Sequence, residues 1–308
     1  MNSLATESRA LFDKAYSQIN DFQIIQGMSE LITGLHGIRR RTSADEWSEF
    51  AKQECLAHPI KSLLHQDPMT RRAFEKPRGY AGDAELLDLI YGLRPVPADT
   101  TSIGAAIYGI NIQAAGTSAV RVRRDMLAAK LDEVAAEIEQ PRVLAVACGH
   151  LREAQKSKAV AAGRIGDFYA LDQDKVSLEL LAREQSANGI TPVHGSVKTI
   201  LKGETTFSDL DFVYSTGLYD YLPQPVAISL TNKLFDMLRP GGRLIVANFL
   251  PDVISLGYME TFMGWPLIYR NDEEMADIAA NLPAGQVAAK QVYHDAHEHV
   301  VFLEVTKG

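Results

Sequence analysis

The sequence predicts an α/β fold in its second half and a helical region before it, and three observations support this prediction. From Arg142 onward, short apolar runs alternate with segments of helical periodicity, which is typical of a parallel sheet covered by helices. Before about residue 135, helical signals are present and strand signals are almost absent. The last two strand segments alternate apolar and polar residues around a short turn, which predicts an antiparallel hairpin. We therefore predict a helical cap domain over residues 1–135 and an α/β domain over residues 136–308.

The amino-acid composition and the net charge indicate which class of protein this chain belongs to. The chain has 308 residues, of which 46% are hydrophobic and 23% are charged, as in ordinary soluble globular proteins. The net charge of −8 argues against nonspecific binding to nucleic acid or anionic lipid. No apolar run is long enough to span a membrane, and the N-terminus does not resemble a secretion signal. We expect a reduced cytoplasmic protein with no membrane, nucleic-acid or metal partner. The apolar cap helices could bury against the second domain, against another subunit or against both, so a homodimer is one of the alternatives.

The helical region contains recognisable helix starts. Ser43 and Glu46 have the spacing of a capping box, and Pro68 after Asp67 suits a first helical turn. A long helix is predicted over about residues 116–139, and the basic cluster Arg121-Val-Arg-Arg124 on it is interpreted as a solvated helix face. A first helix is predicted from apolar residues at helical spacing, namely Leu11, Phe12, Tyr16, Ile19 and Phe22.

The second region contains seven predicted strands, with a helix between most of the consecutive strands. Its first strand is a continuous apolar run from Val143 to Ala147, as expected for a strand that is buried on both faces. The strands are predicted at about 142–148, 167–172, 191–195, 210–216, 243–249, 286–294 and 298–306. The main helices are predicted at about 151–162, 175–187, 225–238 and 271–281.

The ends of the first two strands predict an adenosine site. Gly149 follows the first strand and allows the backbone to turn tightly beside a ligand. Asp172 ends the second strand, at the spacing from that glycine at which an acid can hold the two hydroxyls of a ribose. The alternative is an ordinary βαβ unit with a loop glycine and a solvated acid. A nicotinamide dinucleotide is less expected, because the Gly-x-Gly-x-x-Gly turn that receives a pyrophosphate is absent.

From about residue 120 to residue 308, the chain resembles the class I S-adenosylmethionine-dependent methyltransferases. The resemblance is carried by Ala147-Cys-Gly149, Asp172, Asp211-Phe-Val-Tyr-Ser-Thr-Gly217 and Leu238-Arg-Pro-Gly-Gly242. It implies a Rossmann-like sheet of five parallel strands plus an antiparallel C-terminal hairpin, preceded here by the helical cap domain. It also implies S-adenosylmethionine as the cofactor. The first strand departs from the family pattern, since alanines and one glycine replace the usual glycine-rich turn.

A narrower resemblance concerns two groups with similar architecture. It is carried by Lys76-Pro-Arg-Gly-Tyr-Ala-Gly-Asp83 with Ile90-Tyr-Gly92, by Tyr214-Ser-Thr-Gly-Leu-Tyr-Asp-Tyr-Leu222 and by Trp265-Pro-Leu-Ile-Tyr-Arg270. These segments resemble the methyltransferases of 3-hydroxypalmitic acid methyl ester biosynthesis. They are also similar to azetidine-2-carboxylic acid synthases, which use S-adenosylmethionine as the substrate and cyclise it with release of methylthioadenosine. The motifs do not separate the two groups.

The resemblance implies cofactor-binding residues at the ends of the strands. Asp172 is expected to hold the ribose, while Ala147 and Gly149 are expected along the methionyl part. His150 is expected to contact the cofactor carboxylate, with a side chain that faces solvent as the alternative. Ser196 is a candidate contact to adenine, with a locally satisfied turn hydroxyl as the equal alternative. The end of the fourth strand adds Ser215, Thr216 and Gly217, where a glycine permits close approach of a ligand.

Four residues are predicted to take part in catalysis. Tyr219 is the preferred aromatic to face the sulfonium, and Tyr221 is equally plausible as a core residue. Asn248 offers a donor and an acceptor to the amino acid end, with a turn-former before Pro251 as the alternative. In the cap motif, Tyr80 is expected to close over the sulfonium and Asp83 to hold an ammonium group. Arg78 is expected to bind a carboxylate, with an Arg78–Asp83 pair as the alternative.

The leading functional prediction is methyl transfer to an oxygen, with a carboxylate of a small or acyl substrate as the expected acceptor, in secondary metabolism or signalling. The alternative is intramolecular cyclisation to azetidine-2-carboxylate. A third hypothesis is a regulatory protein that binds the cofactor without turnover.

Overall fold

The computed structural model describes residues 2–185 and 188–308, and its contacts divide the chain into two compact units. The first unit reaches to Arg121 and includes Asp252–Pro266, whereas the second consists of Val122–Pro251 and Leu267–Gly308. The predicted division after residue 135 falls inside a helix, Ala115–Glu137. The division into a helical cap domain over residues 1–135 and an α/β domain over residues 136–308 therefore stays a prediction.

The first unit is helical. Its first helix buries Phe12 and Ile19, and the second buries Met28 and Leu31, which gives the unit an apolar core. Phe22 was expected on the first helix, but it lies beyond the helix end with a φ of 60° and is 68% exposed, so that expectation is wrong. The helices from the N-terminus are α1 (Asn2–Asn20), α2 (Ile24–Arg39), α3 (Ala44–Phe50), α4 (Ile60–Leu64), α5 (Pro68–Glu75), α6 (Ala84–Ile90), α7 (Ser102–Asn111) and α8 (Ala115–Glu137), with a π-helical turn at Ala51–Cys55.

Both predicted helix starts are confirmed. The N–H of Glu46 donates to the Ser43 hydroxyl at 3.4 Å, and the N–H of Ser43 donates to the Glu46 carboxylate at 2.9 Å, which is a capping box. Pro68 occupies the first turn of α5, and the carboxylate of Asp67 accepts the N–H groups that follow it. These caps satisfy N–H groups that have no partner inside the helix.

A buried polar cluster joins the inserted segment 252–266 to the N-terminal helices. Helix α13 (Leu256–Thr261) carries Tyr258, whose hydroxyl lies 2.9 Å from Thr70 Oγ1 and 3.3 Å from Asn111 Nδ2. Thr70 and Asn111 also donate to Asp67, at 2.7 and 2.9 Å. Burial raises the pKa of Asp67, and these hydrogen bonds oppose the shift. The inserted segment is therefore part of the core of the first unit.

The second unit contains a seven-stranded sheet in the order β3-β2-β1-β4-β5-β7-β6. The first five strands pair in parallel, and β7 pairs antiparallel with β5 and with β6. This is the predicted Rossmann-like sheet of five parallel strands with an antiparallel C-terminal hairpin, so the fold prediction is confirmed. The strands are β1 (Val143–Val146), β2 (Phe168–Asp172), β3 (Ile190–His194), β4 (Leu210–Ser215), β5 (Leu238–Phe249), β6 (Val287–His294) and β7 (Val300–Lys307).

The helices of the second unit differ from the prediction mainly after β1. The predicted helix 151–162 is wrong over most of its length, because Leu151 has a φ of 51° and the helix begins only after Ser157, whose hydroxyl caps it. The last two residues of the predicted helix 175–187 lie outside the described residues. The helices are α9 (Lys158–Ala161), α10 (Lys175–Gln185), α11 (Val197–Leu201), α12 (Gln224–Asp236) and α14 (Asp272–Asp277), with 3-10 turns at Tyr219–Tyr221 and Ala284–Gln286.

The carboxylate of Asp295 stabilises the turn of the C-terminal hairpin. Asp295 accepts hydrogen bonds from the N–H groups of His299 and Val300, both at 2.7 Å, and from that of His297 at 3.3 Å. An ionised carboxylate can accept several such bonds, which explains the tight closure between β6 and β7. Within the described part of the chain, no helix has the length and apolar character needed to cross a membrane.

Candidate functional site

Asp172 links the ends of β1 and β2. Its Oδ2 accepts the N–H of Gly149 at 2.8 Å, and its Oδ1 accepts the N–H of Asp174 at 2.8 Å. The side chain is largely buried, and burial raises its pKa while the backbone N–H groups of Asp174, Gly149 and Gln173 oppose the shift. Gly149 and Asp172, both predicted to line the cofactor site, thus meet through a direct hydrogen bond at the carboxyl edge of the sheet.

The turn after β1 uses left-handed backbone at three alternate residues. Ala147, Gly149 and Leu151 have φ values of 55°, 54° and 51°. Glycine adopts this conformation without cost, whereas a residue with a Cβ is strained there by roughly 1–2 kcal/mol. Ala147 thus has the backbone geometry that favours glycine, and it is exposed. His150, between Gly149 and Leu151, is buried.

The end of β4 lies beside the end of β1. The buried hydroxyl of Ser215 donates to the carbonyl of Val146 at 2.9 Å, so this side chain ties the two strands together. Thr216 is half-buried and Gly217 is exposed. Of the three predicted residues on this strand end, Gly217 is therefore the one with an open backbone surface.

Arg270 organises the loop that follows β4. Its guanidinium is buried and donates to the carbonyls of Tyr219 at 2.8 Å and Leu222 at 2.5 Å. It also donates to Oδ1 of Asn248 and, at 2.7 Å, to Oε1 of Gln224. Burial lowers the pKa of Arg270, and nearby Asp220 opposes this shift. Arg270 therefore fixes the loop to the end of β5 and to the start of α12.

Tyr219 and Asn248, two of the predicted catalytic residues, have protein partners. The Tyr219 hydroxyl shares a hydrogen bond of 2.9 Å with Thr231, and burial raises the pKa of that phenol. Asn248 donates to the carbonyl of Ile268 at 2.6 Å in addition to accepting from Arg270. The side chains of both residues thus position the loop. Tyr221 is 38% exposed.

Arg123, Asp220 and Glu153 form a charged group that the sequence prediction did not identify. Arg123 lies on α8, and its Nη1 is 3.8 Å from Oδ2 of Asp220. The other oxygen of Asp220 accepts the N–H of Phe249 at 2.7 Å, and burial raises the pKa of this acid to about 6. Burial likewise raises the pKa of Glu153, which accepts a hydrogen bond of 2.8 Å from Tyr214.

The position of Arg123 differs from the prediction made for the basic cluster on α8. It was predicted to lie on a solvated helix face, but its side chain is only 7% exposed. Leu127 and Leu131, which follow at intervals of four residues, are also buried. This helical spacing was the signal in the sequence that could have placed Arg123 on the buried face.

Ser196 lies at the end of β3 and begins α11. Its hydroxyl accepts the N–H of Thr199 at 3.3 Å, and its own N–H donates to the Thr199 hydroxyl at 2.9 Å. This is the local satisfaction that was weighed against a contact to adenine. The adenine contact stays a prediction.

The cap motif lies in the first unit. Asp83 is fully buried, caps α6 through the N–H of Leu86, and accepts two hydrogen bonds from Arg72 at 2.9 and 2.8 Å. Arg78 pairs with Glu85 at 2.6 Å, so the alternative of an Arg78–Asp83 pair is not what the structure shows. Tyr80 is half-buried. The proposed contacts of these residues with a ligand stay predictions.

Comparisons with known proteins concern the fold. No protein-family model matches the chain, and no protein with a curated description matches it. Among solved structures, the chain is similar to a possible exported protein from Bordetella parapertussis, with 14% identity, a TM-score of 0.59 and coverage of 83% of this chain and 99% of that one. At this identity the similarity shows the fold alone.

Lower-scoring similarities include magnesium protoporphyrin IX methyltransferase from Synechocystis PCC 6803, with 14% identity, a TM-score of 0.47 and coverage of 72% of this chain and 92% of that one. The pyocyanin biosynthetic protein PhzM is similar with 16% identity, a TM-score of 0.44 and coverage of 55% of this chain and 51% of that one.

Across residues 2–185 and 188–308, no group of three or more His, Cys, Asp or Glu side chains is arranged to hold a metal ion.

Proposed function

We propose that this protein binds S-adenosylmethionine and transfers its methyl group to an oxygen of a small or acyl substrate, with a carboxylate as the expected acceptor. One observation carries the proposal. Asp172, at the end of β2, holds the N–H of Gly149 at 2.8 Å in the turn after β1. In an open α/β sheet, ligands bind at the carboxyl ends of the strands, and an acid there is suited to a ribose.

The carboxylate of Asp172 can accept more hydrogen bonds than the backbone supplies. A carboxylate offers about four lone-pair positions, and the backbone N–H groups of Gly149 and Asp174 use two of them. Two positions therefore match the two hydroxyls of an adenosine ribose. Hydrogen bonds to a charged acceptor are stronger than neutral ones, so this contact supports binding.

Methyl transfer to a carboxylate needs little general acid–base catalysis. S-adenosylmethionine supplies a methyl group on a positively charged sulfur. An ionised carboxylate acceptor is already nucleophilic, so the protein needs to align the two, and alignment alone can contribute roughly 7–11 kcal/mol. Gly217 offers an open approach at the end of β4. Tyr219 and Asn248 are assigned positioning roles, because Thr231 of α12 engages the Tyr219 hydroxyl and Arg270 and Ile268 engage the Asn248 amide.

Calorimetric titration with S-adenosylhomocysteine tests the ribose assignment. Asp172→Ala is expected to lower the affinity by about 10- to 100-fold, since a charge-assisted bond and the position of Gly149 are both lost. Asp167→Ala is the matched control. Asp167 precedes the same strand at its other end, is 53% exposed and pairs with Arg142. Equal affinities of wild type and Asp172→Ala would overturn the assignment.

Mass spectrometry of the products tests the reaction. With S-adenosylmethionine alone, methyl transfer predicts an unchanged cofactor, and S-adenosylhomocysteine is expected only after a carboxylate acceptor is added. Release of methylthioadenosine from the cofactor alone would instead identify intramolecular cyclisation. Tight binding without either product across a panel of acceptors would identify a non-catalytic binding protein.

A further inference from the structure

Arg123 has a buried donor without an acceptor. Its side chain is 7% exposed, and none of the described residues accepts a hydrogen bond from its buried Nη1. The nearest carboxylate oxygen, Oδ2 of Asp220, is 3.8 Å away, which is beyond hydrogen-bond distance. A buried charged donor without an acceptor is strongly unfavourable. This arrangement therefore points to an acceptor that arrives with a ligand.

The position of Arg123 agrees with such a ligand. A Cβ added at Gly217 would lie 3.7 Å from Nη2, so the guanidinium is next to the open backbone after β4. Its central carbon is 5.9 Å from the centre of the Phe249 ring at the end of β5. Both strands end at the edge where ligands bind in this class of sheet.

The neighbouring charges indicate which ligand fits. Asp220 keeps one oxygen on the N–H of Phe249 and directs the other towards Arg123. A cation and an anion side by side complement a ligand that carries a carboxylate and an ammonium group on one carbon. A phosphate would be attracted by Arg123 but repelled by Asp220. Asn248, the earlier candidate for this end of the ligand, already binds Arg270 and Ile268.

We propose that Arg123 and Asp220 bind the α-amino acid end of the ligand, with Arg123 taking the carboxylate and Asp220 the ammonium group. The inference rests on the proposed function, in which that ligand is S-adenosylmethionine. It assigns to the second unit a recognition site for an amino acid zwitterion, formed by α8 and by the 3-10 turn after β4.

Two ligands separate this role from a general effect on the site. S-adenosylhomocysteine carries the amino acid group, whereas 5′-methylthioadenosine keeps the adenosine and the sulfur but lacks that group. In calorimetric titrations, Arg123→Met is expected to weaken binding of S-adenosylhomocysteine by about 30-fold, as for loss of a charge-assisted pair. Its affinity for methylthioadenosine is expected to stay within about threefold of the wild type.

Arg243→Met is the matched control. Arg243 is also an arginine of the second unit, but it pairs with Glu133 and Glu137 near the start of the parallel part of β5. Both affinities should be unchanged in this variant. Asp220→Asn is the second test variant, because an amide retains an acceptor for the N–H of Phe249. It should lower the affinity for S-adenosylhomocysteine several-fold and leave that for methylthioadenosine unchanged.

The outcomes distinguish the two proposals. If the wild type binds S-adenosylhomocysteine and Arg123→Met binds it equally well, the zwitterion site is overturned and the proposed function stands. If Arg123→Met and Asp220→Asn lose both ligands in parallel, selective recognition of the amino acid group is overturned. If the wild type binds neither ligand, the proposed function falls and the inference falls with it.

Discussion

Arg270→Met should destabilise the second unit strongly, because it removes the donor that holds the loop after β4. The lost bonds reach the carbonyls of Tyr219 and Leu222 and the side chains of Asn248 and Gln224. Buried acceptors left without a donor cost about 1–3 kcal/mol each, and three of the four lie in the interior. The variant no longer buries a positive charge, and this offsets part of the loss. The cost of that burial in the wild type is reflected in the lowered pKa of Arg270. We expect a net loss of about 4 kcal/mol in the free energy of unfolding.

Urea denaturation followed by far-UV circular dichroism measures this loss, and hydrogen exchange of the amides between Tyr219 and Leu222 locates it. Tryptophan fluorescence alone is unsuitable, because Trp47 and Trp265, the two tryptophans of the chain, belong to the first unit. Arg270→Lys keeps the charge but cannot reach four acceptors from one ammonium, so an intermediate loss of about 2 kcal/mol is expected.

Arg243→Met again provides the control, since exposed ion pairs contribute about 0–1 kcal/mol. If Arg270→Met lost no more stability than this control, the assignment of Arg270 as the residue that holds the loop would be refuted. Equal stability of Arg270→Lys and wild type would show that charge, and not the four-bond geometry, matters at this position.

Three further predictions concern single side chains. Ala147→Gly should raise the free energy of unfolding by about 0.5–1 kcal/mol in urea titrations, because it relieves left-handed strain; a loss of stability would contradict this. The pKa of Asp220 is about 6 in the fold against an ordinary 3.8, so its contribution to stability is complete below pH 3.8 and is lost as the pH rises through 6. Asp220→Asn should therefore gain on the order of 3 kcal/mol relative to wild type between pH 4 and pH 8, as measured by melting temperatures, and a pH-independent difference would refute the shift. Arg123 and Arg270 are the nearby cations that limit this shift. Asp295→Ala should destabilise the C-terminal hairpin by about 2–3 kcal/mol, visible as faster amide exchange in β7, since three backbone donors lose their acceptor.

Much of the fold could be predicted because its signals are local. The apolar run from Val143, the capping box at Ser43 and the alternation in β6 and β7 each depend on residues close together in sequence. The helix predicted after β1 failed for a physical reason. Leu151 has apolar neighbours at helical spacing, but the turn that positions Gly149 requires left-handed backbone at Leu151 as well.

The candidate site was predictable only in part. The pairing of Gly149 with Asp172 follows from strand order, which the sequence pattern already indicates. The spacing of Arg123 to Leu127 and Leu131 could have placed its side chain on the buried face of α8, but the partners of Arg123 and Arg270 are distant in sequence and no local signal identifies them. These partners lie on other elements of the second unit, so the pairs became visible only with the three-dimensional arrangement.

The discontinuity of the first unit has a consequence for the order of folding. Helices α1–α7 emerge early during synthesis, yet the Tyr258 hydroxyl that meets Asn111 belongs to a residue 147 positions later. The core cluster around Asp67 therefore stays incomplete until β1–β5 have been made, while the second unit still awaits β6 and β7. Chains with two domains usually fold one domain at a time from the N-terminus. This chain cannot fold in that order. A fragment that ends at Arg121 would lack the segment that completes its own core.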